Sequence, residues 1–433
     1  MKLLLKYKKF YADNKRTDYF LSGGLTMNQT KKAFITAAFS LFTLFCAEAG
    51  TFSGKGAVKG DFYSNPKSDS FKPVLNLSGF FAGQMDFSNH LHVRSEFSLE
   101  TGNIVGAGVN NDINAAFRLD EFSVTYDFTF QGANHYLTFF AGDFEPAGSD
   151  LFIMRQFGCE GITSHFTESW TGLKGNFLFN SYGIGGDWSF KMPSIPVAAG
   201  LTLYKNNDNK DKDNQFNIDL RTAAVTRFFT IDAKGGIGIP VSSKNKEEDA
   251  LLFINKIYAH CGIDLLIGNN YSQALFVQAG FASLPIKAGS LDNEIDSDDI
   301  YLLVEPRLYT EKFRAHLTLF SIPAVNTERL LFIGYKETLG ANLCLYTDQL
   351  YIKNTDETFG INTSLTLRSR DFYDLKRFKD LIEDDYIIRV CPFVKIPVTG
   401  GEAMIMIQAK VNGFDKDNWK HHFKLNAGYK LTL

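Results

Sequence analysis

Along most of this chain large apolar side chains fall on every second residue, and full charges occupy the positions between them. Phe122, Val124, Tyr126, Phe128 and Phe130 interleave with Glu121, Ser123, Thr125, Asp127 and Thr129. Leu91, Val93, Phe97 and Leu99 interleave with His92, Arg94, Glu96, Ser98 and Glu100. The pattern recurs at Leu75–Phe87, at Phe313–Leu319 and at Ala403–Val411. A period of two puts one greasy and one polar face on a β-strand. Soluble sandwiches alternate too, but these segments run about 10–15 residues, against the usual five or six. Their polar faces are charged strand after strand, and their apolar faces are rich in Phe, Leu and Tyr. That combination suits a wet interior and a lipid-facing exterior. Lipid satisfies no open sheet edge, so such a sheet must close on itself.

Composition agrees. Hydrophobic residues make up 45% and charged residues 21%, too balanced for a disordered chain or a helical membrane protein. Beyond residue 49 no uninterrupted apolar stretch approaches the ~18 residues that a spanning helix needs.

The N-terminus reads as an export signal. Lys31 and Lys32 precede the apolar run Ala33–Ala47, and Ala47-Glu48-Ala49 offers a small-x-small cleavage site before Gly50. Met27 is the expected start, with residues 1–26 an over-extension, 27–49 the signal, 50–73 a plug or a first strand, and 74–433 the barrel. Cleavage removes eight basic and three acidic residues, leaving 37 basic against 45 acidic, a balance of -8. A surface for nucleic acid is therefore not expected. Cys159, Cys261, Cys344 and Cys391 show no CxxC or short spacing, so neither a zinc site nor a disulfide framework is expected, and no cofactor.

The last residues give the most specific signal. Trp419 to Leu433 alternates to the chain end, and Asn426-Ala-Gly428-Tyr-Lys-Leu431-Thr-Leu433 follows the order polar, x, Gly, x, x, hydrophobic, x, hydrophobic. In this the chain resembles the porin-like bacterial outer-membrane β-barrels, whose final strand is read by the barrel-assembly machinery. Leu433 departs from the family's usual terminal Phe or Trp. The segment Gly142–Phe157 is similar to spirochaetal outer-membrane proteins. The resemblance implies an all-β, closed antiparallel barrel in the outer membrane of a diderm (Gram-negative) bacterium, delivered by periplasmic chaperones. About sixteen strands are expected, within 14–18. The polar stretches Asn206–Asn214, Ser242–Asp249, Leu291–Asp299 and Arg370–Asp385 are expected as outer loops.

Ser149–Trp170 is too apolar for a loop in water, with Leu151, Phe152, Ile153, Met154 and Phe157. By analogy with porins it folds into the lumen, where Arg155, Glu160 and Glu168 would line a constriction. Packing on itself or on a neighbouring subunit is the competing reading. Asp292–Asp299 has oxygens enough for Ca²⁺ but not the spacing of a calcium loop, and solvated loops are the expectation. His421 is expected at a lipid-facing interfacial position. His260 and Cys261 point to opposite faces, and no nucleophile–base motif indicates an enzyme.

The expected function is passive diffusion of small hydrophilic solutes. Arg94, Glu96, Glu121, Asp127, Arg314 and Lys410 would face the lumen, and the balance of -8 leans towards cations. The alternatives are a fatty-acid-type transporter with residues 50–73 as plug, or a surface adhesin. Outer-membrane lipid is the expected surrounding, and a homotrimer is left open.

Overall fold

A computed structural model describes residues 50–65, 70–105, 115–167, 178–179, 181–206, 215–240, 257–286, 300–323, 338–347, 357–367, 386–414 and 418–432. The signal cleavage residues Ala47 and Ala49, Glu168, Leu433 and, Asn206 apart, the four polar stretches expected as outer loops lie outside them.

Eighteen strands follow one another in antiparallel order. The first nine are β1 (Thr51–Ser64), β2 (Pro73–Ser88), β3 (Leu91–Thr101), β4 (Ala115–Phe130), β5 (Ala133–Asp143), β6 (Tyr182–Lys191), β7 (Val197–Asn206), β8 (Gln215–Val225) and β9 (Phe229–Pro240). The rest are β10 (Ile257–Ile267), β11 (Ala274–Ile286), β12 (Ile300–Tyr309), β13 (Arg314–Ile322), β14 (Thr338–Thr347), β15 (Thr358–Leu367), β16 (Tyr386–Val398), β17 (Gly401–Lys410) and β18 (Phe423–Thr432). Each pairs with the next, and β1 pairs with β18 from Lys55↔Thr432 to Tyr63↔Lys424. The sheet is therefore a closed barrel without an edge.

The barrel has eighteen strands, at the top of the expected range of 14–18 and above the central sixteen. Of the two alternatives for residues 50–73, a plug or a first strand, Thr51–Ser64 is a first strand, bonded on both sides. These residues do not enter the lumen. The final strand also starts later than the alternation suggested. Trp419–His421 is a 3₁₀ turn, and His422 bonds back to Lys410, its backbone oxygen accepting the Lys410 N–H at 2.8 Å. His421 thus sits in a turn and not on the outward face of a strand.

The two ends differ. Connections at one end are mostly short, such as 89–90, 131–132, 226–228 and 399–400, with 348–357 the exception. Gln131 and Gly132 both take positive φ (49° and 78°), as a two-residue type I′ turn requires. At the other end the connections are longer, and 144–181 is the longest. We call these the short-turn and long-loop ends.

Parity sorts the side chains. Outward positions carry exposed apolar groups, among them Phe139 (57% exposed) and Leu220 (64% exposed). Such a continuous apolar surface far exceeds the few hundred Å² that soluble monomers leave in water. Inward positions carry polar and charged groups, yet many are fully covered, including Asp219, Gln278 and Asn426. Part of the lumen is therefore a packed interior.

Candidate functional site

The covering comes from the 144–181 connection. Two non-glycine residues near its start, Glu145 (φ 42°) and Asp150 (φ 59°), are held in the left-handed region. That conformation persists only where surroundings enforce it. The enforcement is visible at both. The Glu145 carbonyl accepts from the Arg221 guanidinium of β8, and its carboxylate is gripped by Arg155. Asp150 accepts from the Thr163 backbone N–H at 2.6 Å and from the Thr163 hydroxyl. Gly161 passes so close to Asp150 that a Cβ there would lie 2.7 Å from a carboxylate oxygen. A short helix, α1 (Leu151–Phe157), follows Asp150 and buries Phe152 and Ile153.

The loop runs the length of the lumen. It leaves β5 at the long-loop end and reaches the short-turn end, where Asn270 Nδ2 donates to the Gly161 carbonyl at 3.0 Å. There the Lys191 ammonium lies 5.2 Å from the Phe157 ring. It then climbs back along β12 to β14. The Arg307 guanidinium donates to the Ile162 carbonyl at 2.8 Å, and the Ser164 hydroxyl donates to Glu305. His165 meets the Tyr346 hydroxyl at 3.1 Å, and Phe166 stacks on Phe320 at 4.5 Å. The Leu178 N–H returns to the Ala147 carbonyl at 3.1 Å.

Apolar inward residues of the wall complete the packing. Leu266, Phe276, Tyr301, Leu303, Phe320 and Met404 form one buried cluster with Phe152, Ile153, Ile162 and Phe166. The expectation that Leu151–Phe157 packs inward therefore has a physical counterpart. Burial of each large side chain stabilises by about 1.5–3 kcal/mol.

Arg155 is a latch. Its guanidinium binds Glu145, donates to the Ser189 hydroxyl at 3.1 Å and lies 3.7 Å from Asp187. It also lies 5.0 Å from the Tyr136 ring centroid. Arg221, 4.6 Å from the Phe152 ring centroid, holds Asp232 with two bonds. Burial alone would raise the Glu145 carboxyl, but Arg155 and Arg221 outweigh it and hold it below the usual carboxylate range. Asp150 has no such cation. Burial pushes it up to about 6, against the two Thr163 hydrogen bonds and helped by the nearby Asp232.

The other residues singled out from sequence fall in several places. Glu160, five residues on from Arg155, is exposed, whereas Arg155 is held by Glu145 and Ser189. Arg94 binds Glu96 and lies 3.8 Å from Glu121, whose carboxylate accepts from Ser123 at 2.9 Å. Asp127 accepts from His92 at 2.9 Å and meets His90 at 3.3 Å near the short-turn end. Arg314 lies 4.9 Å from the Tyr309 ring, and Lys410 stands opposite Arg389. Asn426 and Gly428 of the assembly signal are on the inward parity of β18, and Leu431 is outward. The anchors Glu145, Arg221, Glu305 and Arg307 were not singled out from sequence. The available signal was a charge on the apolar-opposed parity of strands β8 and β12.

No family model matches the chain, and no curated protein matches it. Solved structures of similar outline include Acinetobacter baumannii OccAB3, at 9% identity over 88% of this chain and 99% of that one, with a TM-score of 0.48. A Rh. blastica porin mutant follows at 7% identity over 89% and 100%, with a TM-score of 0.37. Salmonella typhi OmpF in complex with daunomycin stands at 9% identity over 89% and 97%, with a TM-score of 0.38. At these scores the likeness adds nothing to what the strand ladder itself establishes.

Proposed function

We propose that this chain is a porin-like channel of a bacterial outer membrane that passes small hydrophilic solutes by passive diffusion, with the 144–181 loop setting its bore. The observation that supports this is the inversion of the barrel: apolar side chains outside, charges inside, around a closed sheet. Lipid accepts such an exterior, and an interior of that kind holds water wherever the loop does not fill it. The buried apolar cluster is the footing of the loop and not a greasy lane, because Phe152, Ile153 and Phe166 cover it.

Export through cleavage after Ala49, recognition of Asn426, Gly428, Leu431 and Leu433 by the assembly machinery, and outer-membrane lipid as the surrounding belong to this reading. Association as a homotrimer is compatible with it.

Planar-bilayer recording of the refolded chain from Gly50 onward tests it. Stepwise ohmic conductance is expected. A folded, heat-modifiable barrel that never conducts would overturn the channel and direct attention to hydrophobic ligands and surface adhesion.

A further inference from the structure

The inward face of the seam region differs in sign from the rest of the wall. On β16, Arg389 and Lys395 point inward, and Arg389 is the cross-strand partner of Lys410 on β17. Like charges in such a pair repel, so the barrel tolerates a stability cost there. Next towards the short-turn end comes Lys424, paired with Gln408 and with Tyr63 of β1. Deeper still, Lys395, Met404, Gly428 and Lys59 fall on one level across four strands. Lys430 and then Lys55 complete the series.

Among the described residues of β16, β17, β18 and β1, the inward carboxylates are Asp61 and Glu402 alone. Asp61 is shared by two ammonium groups, Lys59 at 3.4 Å and Lys424 at 3.1 Å. Glu402 stands opposite Lys430. Even with both acids fully paired, the arc keeps a positive excess. Its side chains also keep water contact, 33% at Lys424 and 13% at Lys59.

We infer that this arc is an anion lane running from one mouth of the barrel to the other, and that the channel favours small oxyanions, carboxylates or phosphates, over cations. The inference rests on the channel reading above. Successive levels two residues apart lie ~6–7 Å from each other along the wall. Even across the level of Asp61, an anion stays within about one Debye length, ~8 Å, of the next basic side chain. On the loop-covered wall several acids already have a base beside them. Asp187, Asp232, Asp219 and Glu305 there are each met by a base, respectively Arg155, Arg221, Lys234 and Arg307. The chain's overall acidity points the other way because it also counts acids on other strands, such as Glu96 and Asp127, which Arg94 and His92 contact.

Reversal potentials in a KCl gradient across a planar bilayer test this with the refolded chain. The expected sign is that of chloride preference. Lys410→Glu and Lys395→Glu are each expected to lower the chloride-to-potassium permeability ratio about twofold or more. Lys410→Glu places a carboxylate opposite Arg389, so folding is favoured in that variant. Potassium preference, no preference, or a ratio unmoved by both substitutions would overturn the lane while leaving the channel standing. Absence of all conductance would overturn the channel and the lane together.

Discussion

Two walls of one barrel solve opposite problems. On β6 and β8 to β14 the inward charges are buried under the 144–181 loop, and most have partners placed within bonding distance. On β16 to β18 and β1 the inward charges are mostly basic, and Lys424 and Lys59 stay in contact with water. The first wall uses charge as fastening for the loop, and the second turns an excess of one sign towards the lumen. Position on a strand is the same in both. Only what lies over the face separates an anchor from a lane.

Breaking the fastening should have the largest effect. Arg221→Ala strands Asp232 and releases the Glu145 carbonyl, and loss of one partner of a buried pair costs about 3–5 kcal/mol. The loop should become open to protease while the barrel resists, and single-channel conductance should rise. Conductance and protection both unchanged would mean that Arg221 is no anchor.

The next effect is a pH dependence of loop docking. The Asp150 carboxyl, pushed up to about 6, binds its proton more tightly in the docked loop than in the released one. Docking is thus strongest below the ordinary carboxylate range, weakens as pH rises towards 6, and is level above it. Each unit of pH in that window costs about 1.4 kcal/mol. Protease protection of the loop followed from pH 4 to 7 should fall accordingly, and Asp150→Asn should flatten the profile. A profile identical in the two proteins would remove Asp150 from the account.

A smaller loss is expected at Ser164, whose hydroxyl donates to the buried Glu305 carboxylate. Ser164→Ala should cost about 1–3 kcal/mol in thermal unfolding, leaving one acceptor position unserved. The smallest change, and the only gain, belongs to the other wall. Lys410→Glu turns a repelling pair with Arg389 into an attracting one, and should stabilise by about 0.2–1 kcal/mol. A destabilised Lys410→Glu would erase the proposed contrast between the walls.

Strand parity was legible because this barrel writes it twice, as grease outside and charge inside. Where the writing is faint the reading failed. The outward positions of β1 are Phe52, Gly54, Gly56, Val58, Gly60 and Phe62, so glycine blanks half of the apolar face. That is why plug and first strand both stayed open for this segment. At the other end Trp419 kept the alternation by coincidence, while Asn418 to His422 turn. The inward packing of Leu151–Phe157 was legible from its greasiness alone. The role of Arg155 was not, because its partners are Glu145 within the loop and Asp187 and Ser189 on β6. Spacing along the chain says nothing about such a meeting.

The seam between β1 and β18 has a consequence for assembly. Asn426 donates to Asp61 across 365 residues of chain, so the ring shuts between the two strands most distant in sequence. Every other strand can find its neighbour locally and early, whereas this junction must wait until both terminal strands are in hand. A chain shortened by either strand does not settle into a seventeen-membered ring. It presents two unpaired edges, with which a second chain can pair.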